Sequence, residues 1–415
     1  MSILNKKPLT LAAATVAIGA LALTGCARGG GSRDAGGDSP GITDKTITLG
    51  VTTPLSGTTA GPGTCTVAGL KAYMGHANAE GGIKFGDGKT RKVKIKTADD
   101  AYDPQKASSN YQSLKGDVFA ITSGLGTPTN LAYHEAAQAD HVPQVLVMTG
   151  DPTFDDQKKS PWSLGGVPIY QNEGEALGKA LAASGKKHTV AVLSQNDDYG
   201  KGYVEGFKQG IKGSSNIKIV KSLTYEATDT SVDSQITQLA NTKADTVLNA
   251  MSVTPLMISS LKRAQSIGWK PSWLLPSNTS SPASILAPSK ASNYPGVYSV
   301  SFSKAPASPE FSGDADVKTF LSDLKEYADY KESPAFPHCM WSYINGATLE
   351  QAFENMKEPT RDSFMDALRD IKDFQAPLML DGTSVDTTVD GQPSVSSVVV
   401  QKYNGKGYDT VEKVD

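Results

Sequence analysis

The stretch "TITLGVTTPLSGTTAGPGTCTVAGLKAYMGHANAEGG", residues Thr46 to Gly82, carries the pattern on which the fold turns. Its first six residues, "TITLGV", read as a strand. A loop of small and hydroxylated residues follows. Val67, Leu70, Met74 and Ala77 then recur at helical spacing, and "EGG" stops the helix. The unit repeats downstream. "KVKIKTA" alternates as a strand, Pro104 to Leu114 reads as a helix, "VFAITSG" as a buried strand, Thr127 to Ala139 as a helix and "PQVLVMTG" as a strand. A second run has helices at Glu173 to Ser184, Gly202 to Lys212, Ser231 to Asn241 and Leu256 to Ile267. Its strands are "TVAVLSQ", "IKIVKSLTY", "DTVLNAM" and "WLLPS". Strands alternating with helices of this length predict an α/β fold of two Rossmann-like lobes, each a parallel sheet covered by helices on both faces.

In open sheets of this kind a ligand sits beyond the carboxyl ends of the strands. Here those ends run into "TSGLGTPTN", "MTGDPTF", "SQNDDYG", "AMSVTP" and "PSNTSSP". Such loops offer hydroxyls, amides and backbone N–H groups for hydrogen bonding. Loop composition alone does not separate a site from ordinary polar loops.

The chain has 415 residues, 38% of them hydrophobic and 20% charged, with a net charge of −3. That supports a globular body with a sizeable core and gives no basic surface for nucleic acid. Five histidines without clustering argue against a metal site. "GLGTPT" lacks the third glycine of a dinucleotide fingerprint, and no GxSxG, P-loop, HExxH or CxxC is present. Neither an enzyme nor a cofactor is expected. "DDAYD" and "NDDYG" read as solvated helix N-termini.

The N-terminus is of another kind. Lys6 and Lys7 precede an uncharged run from Leu9 to Leu23, the arrangement of a signal peptide, residues 1–25. "LTGC", Leu23 to Cys26, resembles the lipobox of bacterial lipoproteins. The resemblance implies a diacylglyceryl group on Cys26, and two acyl chains suffice for stable anchoring. Residues 26–43 would then be the lipidated cysteine with a Gly-rich tether, on the extracytoplasmic face of the membrane.

The stretches "ITLGVTTPLSG", "GLKAYMGHANAEGGI", "KIKTADDAYDPQKA", "GLGTPTN", "VPQVLVMTG", "NDDYGKGYVEGFK", "DSQITQLANTKADTVLNA" and "GWKPSWL" follow in order and spacing a pattern read as covering Thr46 to about Leu380. They resemble the substrate-binding lipoproteins of ABC importers, of the leucine/isoleucine/valine-binding type. The resemblance implies the type I periplasmic-binding-protein architecture with a three-strand hinge. Lobe 1 would be 44–168 plus 298–378, and lobe 2 would be 169–297 plus 379–415. A small solute would bind between the lobes, and an ABC permease with its ATPase subunits would read the closed form. A monomer is expected.

The resemblance also carries site residues. Thr127 falls where the family has a hydroxyl facing the ligand carboxylate. Gly150 and Pro152 fall on a second contact loop, where proline removes the donors and Asp151 adds a charge. Tyr199 matches a tyrosine that lines the cleft from the second lobe, and Ser252 lies near another aromatic contact of the family. Asn278 stands where amino-acid binders have the glutamate that pairs with the ligand ammonium, and His338 stands at a tyrosine position. Tyr170, Tyr199 and His338 suit an apolar or aromatic body. The expected solute is a branched-chain or other hydrophobic amino acid. An aromatic or other organic acid is the alternative, as is a sensor that hands its closed state to a signalling partner. The ammonium is the open point: Asn278 is neutral, Asp151 is one replacement and a carboxylate elsewhere another. Cys65 and Cys339 are either bridged or two buried thiols; an exported compartment permits the bridge.

Overall fold

The structure is a computed structural model, and it describes residues 39–330, 334 and 336–414. The expected signal peptide, Cys26 and most of the expected tether lie outside the described residues. The first sheet is built from β1 (Thr46–Thr53), β2 (Ile83–Lys84), β3 (Thr90–Asp99), β4 (Ala120–Thr122), β5 (Gln144–Val147) and β6 (Ser163–Gly165), in the order β2-β3-β1-β4-β5-β6. The second has β7 (His188–Gln195), β8 (Ile217–Tyr225), β9 (Thr246–Ala250), β10 (Ser272–Leu274), β11 (Val297–Ser301), β12 (Val399–Tyr403) and β13 (Tyr408–Thr410). Its order is β13-β12-β11-β10-β9-β7-β8. Among the described residues the antiparallel strand pairs are β2–β3, β11–β12 and β12–β13. In each sheet the first strand of the parallel run lies inside the second, so the order reverses between β1 and β4 and again between β7 and β9. Those reversals leave a crevice at the strands' carboxyl ends.

The helices on the first sheet are α1 (Ala60–Ala79), α2 (Pro104–Leu114) and α3 (Thr127–Ala139). The second carries α4 (Tyr170–Ala183), α5 (Asp198–Gly210), α6 (Asp233–Ala240) and α7 (Thr254–Ser266). Later come α8 (Ala315–Tyr327), α9 (His338–Asn355) and α10 (Arg361–Leu368). Local chemistry sets their starts. Asp103 caps α2 by accepting from the N–H groups of Gln105 and Lys106, with Pro104 in the first turn. Asp197 caps α5 through Gly200 N–H. These are the aspartates of "DDAYD" and "NDDYG", and among the described residues no group of three or more acidic, Cys or His side chains is placed to hold a metal.

One core gathers residues from Ile42 to Val167 and again from Phe302 to Val395. Two others gather residues from Leu177 to Val300 with Tyr408 and Val414. The chain therefore passes between the two bodies three times. Two of the crossings come later than expected. The return expected at 298 falls inside β11, which is held in the second sheet by β10 and β12. The return expected at 378/379 follows Val395 instead, because Val385 and Val395 are buried in the first core. Cys65 on α1 and Cys339 on α9 form a disulfide with Cα atoms 4.5 Å apart. Among the described residues no helix is long and apolar enough to cross a membrane.

Candidate functional site

The crevice closes over a cavity of about 540 Å³, part of it open to solvent. Its walls come from the carboxyl ends of strands in both sheets. Thr59 follows β1, Tyr102 follows β3, and Gly126 and Thr127 follow β4. Thr149 follows β5, Tyr199 follows β7, Ser252 follows β9, and Ser277 and Asn278 follow β10. Glu173 and Tyr170 enter from α4, Tyr203 from α5, and His338 and Trp341 from α9.

Thr127 opens α3 behind Gly126, whose φ of +108° is a conformation that favours glycine. A Cβ at Gly126 would also lie 2.5 Å from the Tyr102 ring. Thr127 Oγ1 lies 2.8 Å from Thr149 Oγ1 and 2.9 Å from Tyr170 Oη, and Thr149 Oγ1 lies 3.0 Å from Tyr170 Oη. Three hydroxyls in a ring can each donate one proton and accept one. Each keeps a lone pair, and each can turn its proton toward an incoming anion. The partly positive N-terminus of α3 sits behind them.

On the other body, Tyr199 donates to Asn278 Oδ1 at 3.0 Å. Ser252 Oγ and Tyr225 Oη both donate to Gln195 Oε1 at 2.6 Å. Tyr170, Tyr199 and Tyr203 pack their rings with centroids 4.8–5.2 Å apart. Burial pushes the phenols of Tyr199 and Tyr203 far up, so both stay neutral donors. His338 is 2% exposed, and burial alone drives its imidazole down to about 3. It is therefore neutral, set against the Trp341 ring at 4.8 Å.

Of the residues expected at the site, the cavity brings together Thr127, Tyr170, Tyr199, Ser252, Asn278 and His338. Gly150, Asp151 and Pro152 do not line it. Asp151 turns its carboxylate back onto Thr153 N–H at 2.9 Å, capping the short 3₁₀ turn Pro152–Phe154. The Gly150 carbonyl accepts from Tyr170 N–H at 3.0 Å. An Asp-Pro pair favours that local turn over a contact loop. Sequence reasoning missed Tyr102, Thr149, Glu173, Tyr203, Ser277 and Trp341. One signal was available for Glu173. It stands three residues after Tyr170, in the buried stripe that continues through Leu177 and Leu181, where a carboxylate is out of place.

Glu173 is 3% exposed. Its carboxylate accepts from Tyr203 Oη at 2.5 Å, Ser277 Oγ at 2.7 Å and Ser277 N–H at 3.1 Å. Burial raises its carboxyl above the usual range, against those three hydrogen bonds. The result is a binding cleft with hydroxyls at one station, tyrosine rings beside it and one carboxylate.

The model of the periplasmic binding protein family matches residues 46–407. Leu/Ile/Val-binding protein BraC3 of Rhizobium johnstonii is 26% identical over 208 residues, 48% of this chain and 53% of that protein. The chain spans about half the length of the curated relatives it matches. The fatty acid ABC transporter substrate-binding protein from Thermomonospora curvata shares the fold, with a TM-score of 0.77 at 24% identity over 92% of this chain and 95% of that one. The branched-chain amino acid transporter substrate binding protein LivJ from Streptococcus pneumoniae, in complex with isoleucine, has a TM-score of 0.71 at 21% identity over 88% and 99%. The family match runs through both sheets and the loops that wall the cleft, and the chain belongs to the periplasmic binding protein family, whose members bind solutes outside the cytoplasm and are not enzymes.

Proposed function

We propose that this chain is a membrane-tethered receptor that captures a small carboxylate-bearing solute with an apolar part and delivers it to an ABC permease. A branched-chain or other hydrophobic amino acid is the leading solute. The observation that carries the reading is the hydroxyl ring of Thr127, Thr149 and Tyr170 at the start of α3, with tyrosine rings lining the same cavity. Rotating hydroxyls and a helix N-terminus can solvate a carboxylate without a cation, and the aromatic walls can take an apolar body. Under this reading the bodies built on the two sheets are lobes that close over the solute, the protein works as a monomer, and Cys26 holds it to the membrane by its lipid. Replacing Cys26 with serine then frees the chain from the detergent phase.

The name of the Thermomonospora relative favours a second reading, an organic or fatty acid in the same cleft. A calorimetric screen of leucine, isoleucine, valine, phenylalanine, benzoate and short fatty acids tests both. Micromolar binding of one of them is expected. Tight binding of a sugar, with none by any carboxylate, would overturn the solute class.

A further inference from the structure

We infer that Glu173 is the cation site of the cleft: its carboxylate receives an ammonium group carried by the solute, which narrows the solute class to zwitterions with an apolar body. The inference rests on reading the cleft as the solute site. Glu173 lines the cavity and is 3% exposed. The Ser277 N–H donates to it at 3.1 Å, and the Tyr203 and Ser277 hydroxyls lie at 2.5 and 2.7 Å, placed to donate to the anion. Three converging donors suit the anion. The anion takes all three as donors, whereas a protonated carboxyl would have to turn one of the two hydroxyls into an acceptor.

That anion lacks a counter-charge. Among the described residues Glu173 forms no ion pair, and the residues lining the cavity include no lysine, no arginine and no other carboxylate. The only imidazole there, His338, is held neutral by burial. A buried carboxylate without a cation is costly, and burial accordingly favours holding a proton on it. A solute ammonium would remove that cost. An anionic solute with no ammonium would add a second uncompensated charge to the same cavity. The tyrosine rings beside the carboxylate also suit a cation.

The test is calorimetry on the full chain with three probes: L-leucine, 4-methylpentanoate (leucine without its amino group) and 3-methylbutylamine (leucine without its carboxylate). The wild-type protein is expected to bind leucine on the order of 30-fold or more tighter than 4-methylpentanoate, the scale of one charge-assisted hydrogen bond. In Glu173→Gln that ratio should collapse to about threefold or less, with leucine the probe that weakens. Equal or tighter binding of 4-methylpentanoate by the wild type would overturn the assignment and leave the carboxylate reading standing. So would a Glu173→Gln protein that keeps the leucine preference. If its melting curve shows that Glu173→Gln does not fold, the wild-type ratio decides. Binding of 3-methylbutylamine alone would support Glu173 and overturn the carboxylate station. Binding of none of the three would overturn both.

Discussion

Thr127 has one hydroxyl proton to share with two neighbours, Thr149 and Tyr170. In the ring of three, a carboxylate gains hydrogen bonds only where a proton turns outward. Thr127→Val keeps the shape and removes that proton. We expect carboxylate-bearing solutes to bind about tenfold more weakly, the scale of one hydrogen bond to a charged group. Unfolding should shift little, and calorimetry that finds unchanged affinity would remove Thr127 from the site. His338 makes a prediction of opposite kind, about stability. An unfolded histidine takes up a proton below about 6.5, whereas the folded one does so only below about 3. Between those values the unfolded chain binds the extra proton, so stability falls as pH falls, by at most about 1.4 kcal/mol per pH unit. Urea unfolding at pH 7 and pH 5 should show a smaller loss in His338→Phe than in the wild type. Equal losses would mean that the imidazole is protonated in the folded state. Thr127 and His338 were both expected at the cleft from the resemblance, and both line the cavity. Asp151 was misplaced because its short side chain found a backbone N–H two residues on, a local bond that competes with any site.

At the scale of elements, the position of Glu173 depends on how closely α4 and α5 approach. A Cβ at Gly174 would strike the Tyr203 carbonyl, and one at Gly206 the Gln171 carbonyl. The glycines bring the two backbones together and set Tyr170 and Glu173 against Tyr199 and Tyr203. The helix starts at Tyr170, three residues before the expected Glu173, which places Tyr170 and Glu173 one turn apart on the same helical face, both lining the cavity. A second junction ties α1 to α9 through Cys65 and Cys339, 274 residues apart. Cross-linking so distant a pair restricts the unfolded chain, and Cys65→Ala with Cys339→Ala should cost about 2–5 kcal/mol. Differential scanning calorimetry of the double variant measures it. A melting temperature unchanged from that of the oxidised wild type would show that the loop constraint contributes nothing. Neither the glycine contacts nor the bridge could be settled from spacing. Each depends on where two helices distant in sequence come to lie.

At the scale of the molecule, the cleft is walled from both sheets, and three chain crossings join the bodies around it. A solute that contacts both walls should favour the closed arrangement by its differential affinity. Saturating solute is therefore expected to reduce the radius of gyration in small-angle scattering. It should also raise the unfolding free energy by about 2.7 kcal/mol at a hundred times Kd, since it binds only the folded state. A solute that binds tightly and shifts neither quantity would rule out closure as the working motion.

The sequence by itself determined the alternation of strand and helix, and with it the two doubly wound sheets and the line of loops at their carboxyl ends. Those features are local. They follow from hydrophobic period, helix caps such as Asp103 and Asp197, and Gly-rich stops, which act over a few residues. The tertiary structure alone decided which loop residues face the cavity, that β11 stays with the second sheet, and that Cys65 meets Cys339. It also decided that the carboxylate of the cleft comes from α4, bonded to Ser277 beside the neutral Asn278. These depend on contacts between segments from about 20 to more than 250 residues apart, from Thr127 and Thr149 to Cys65 and Cys339, with Glu173 and Ser277 between. Their geometry is fixed by packing across two cores, and no spacing within one segment records it.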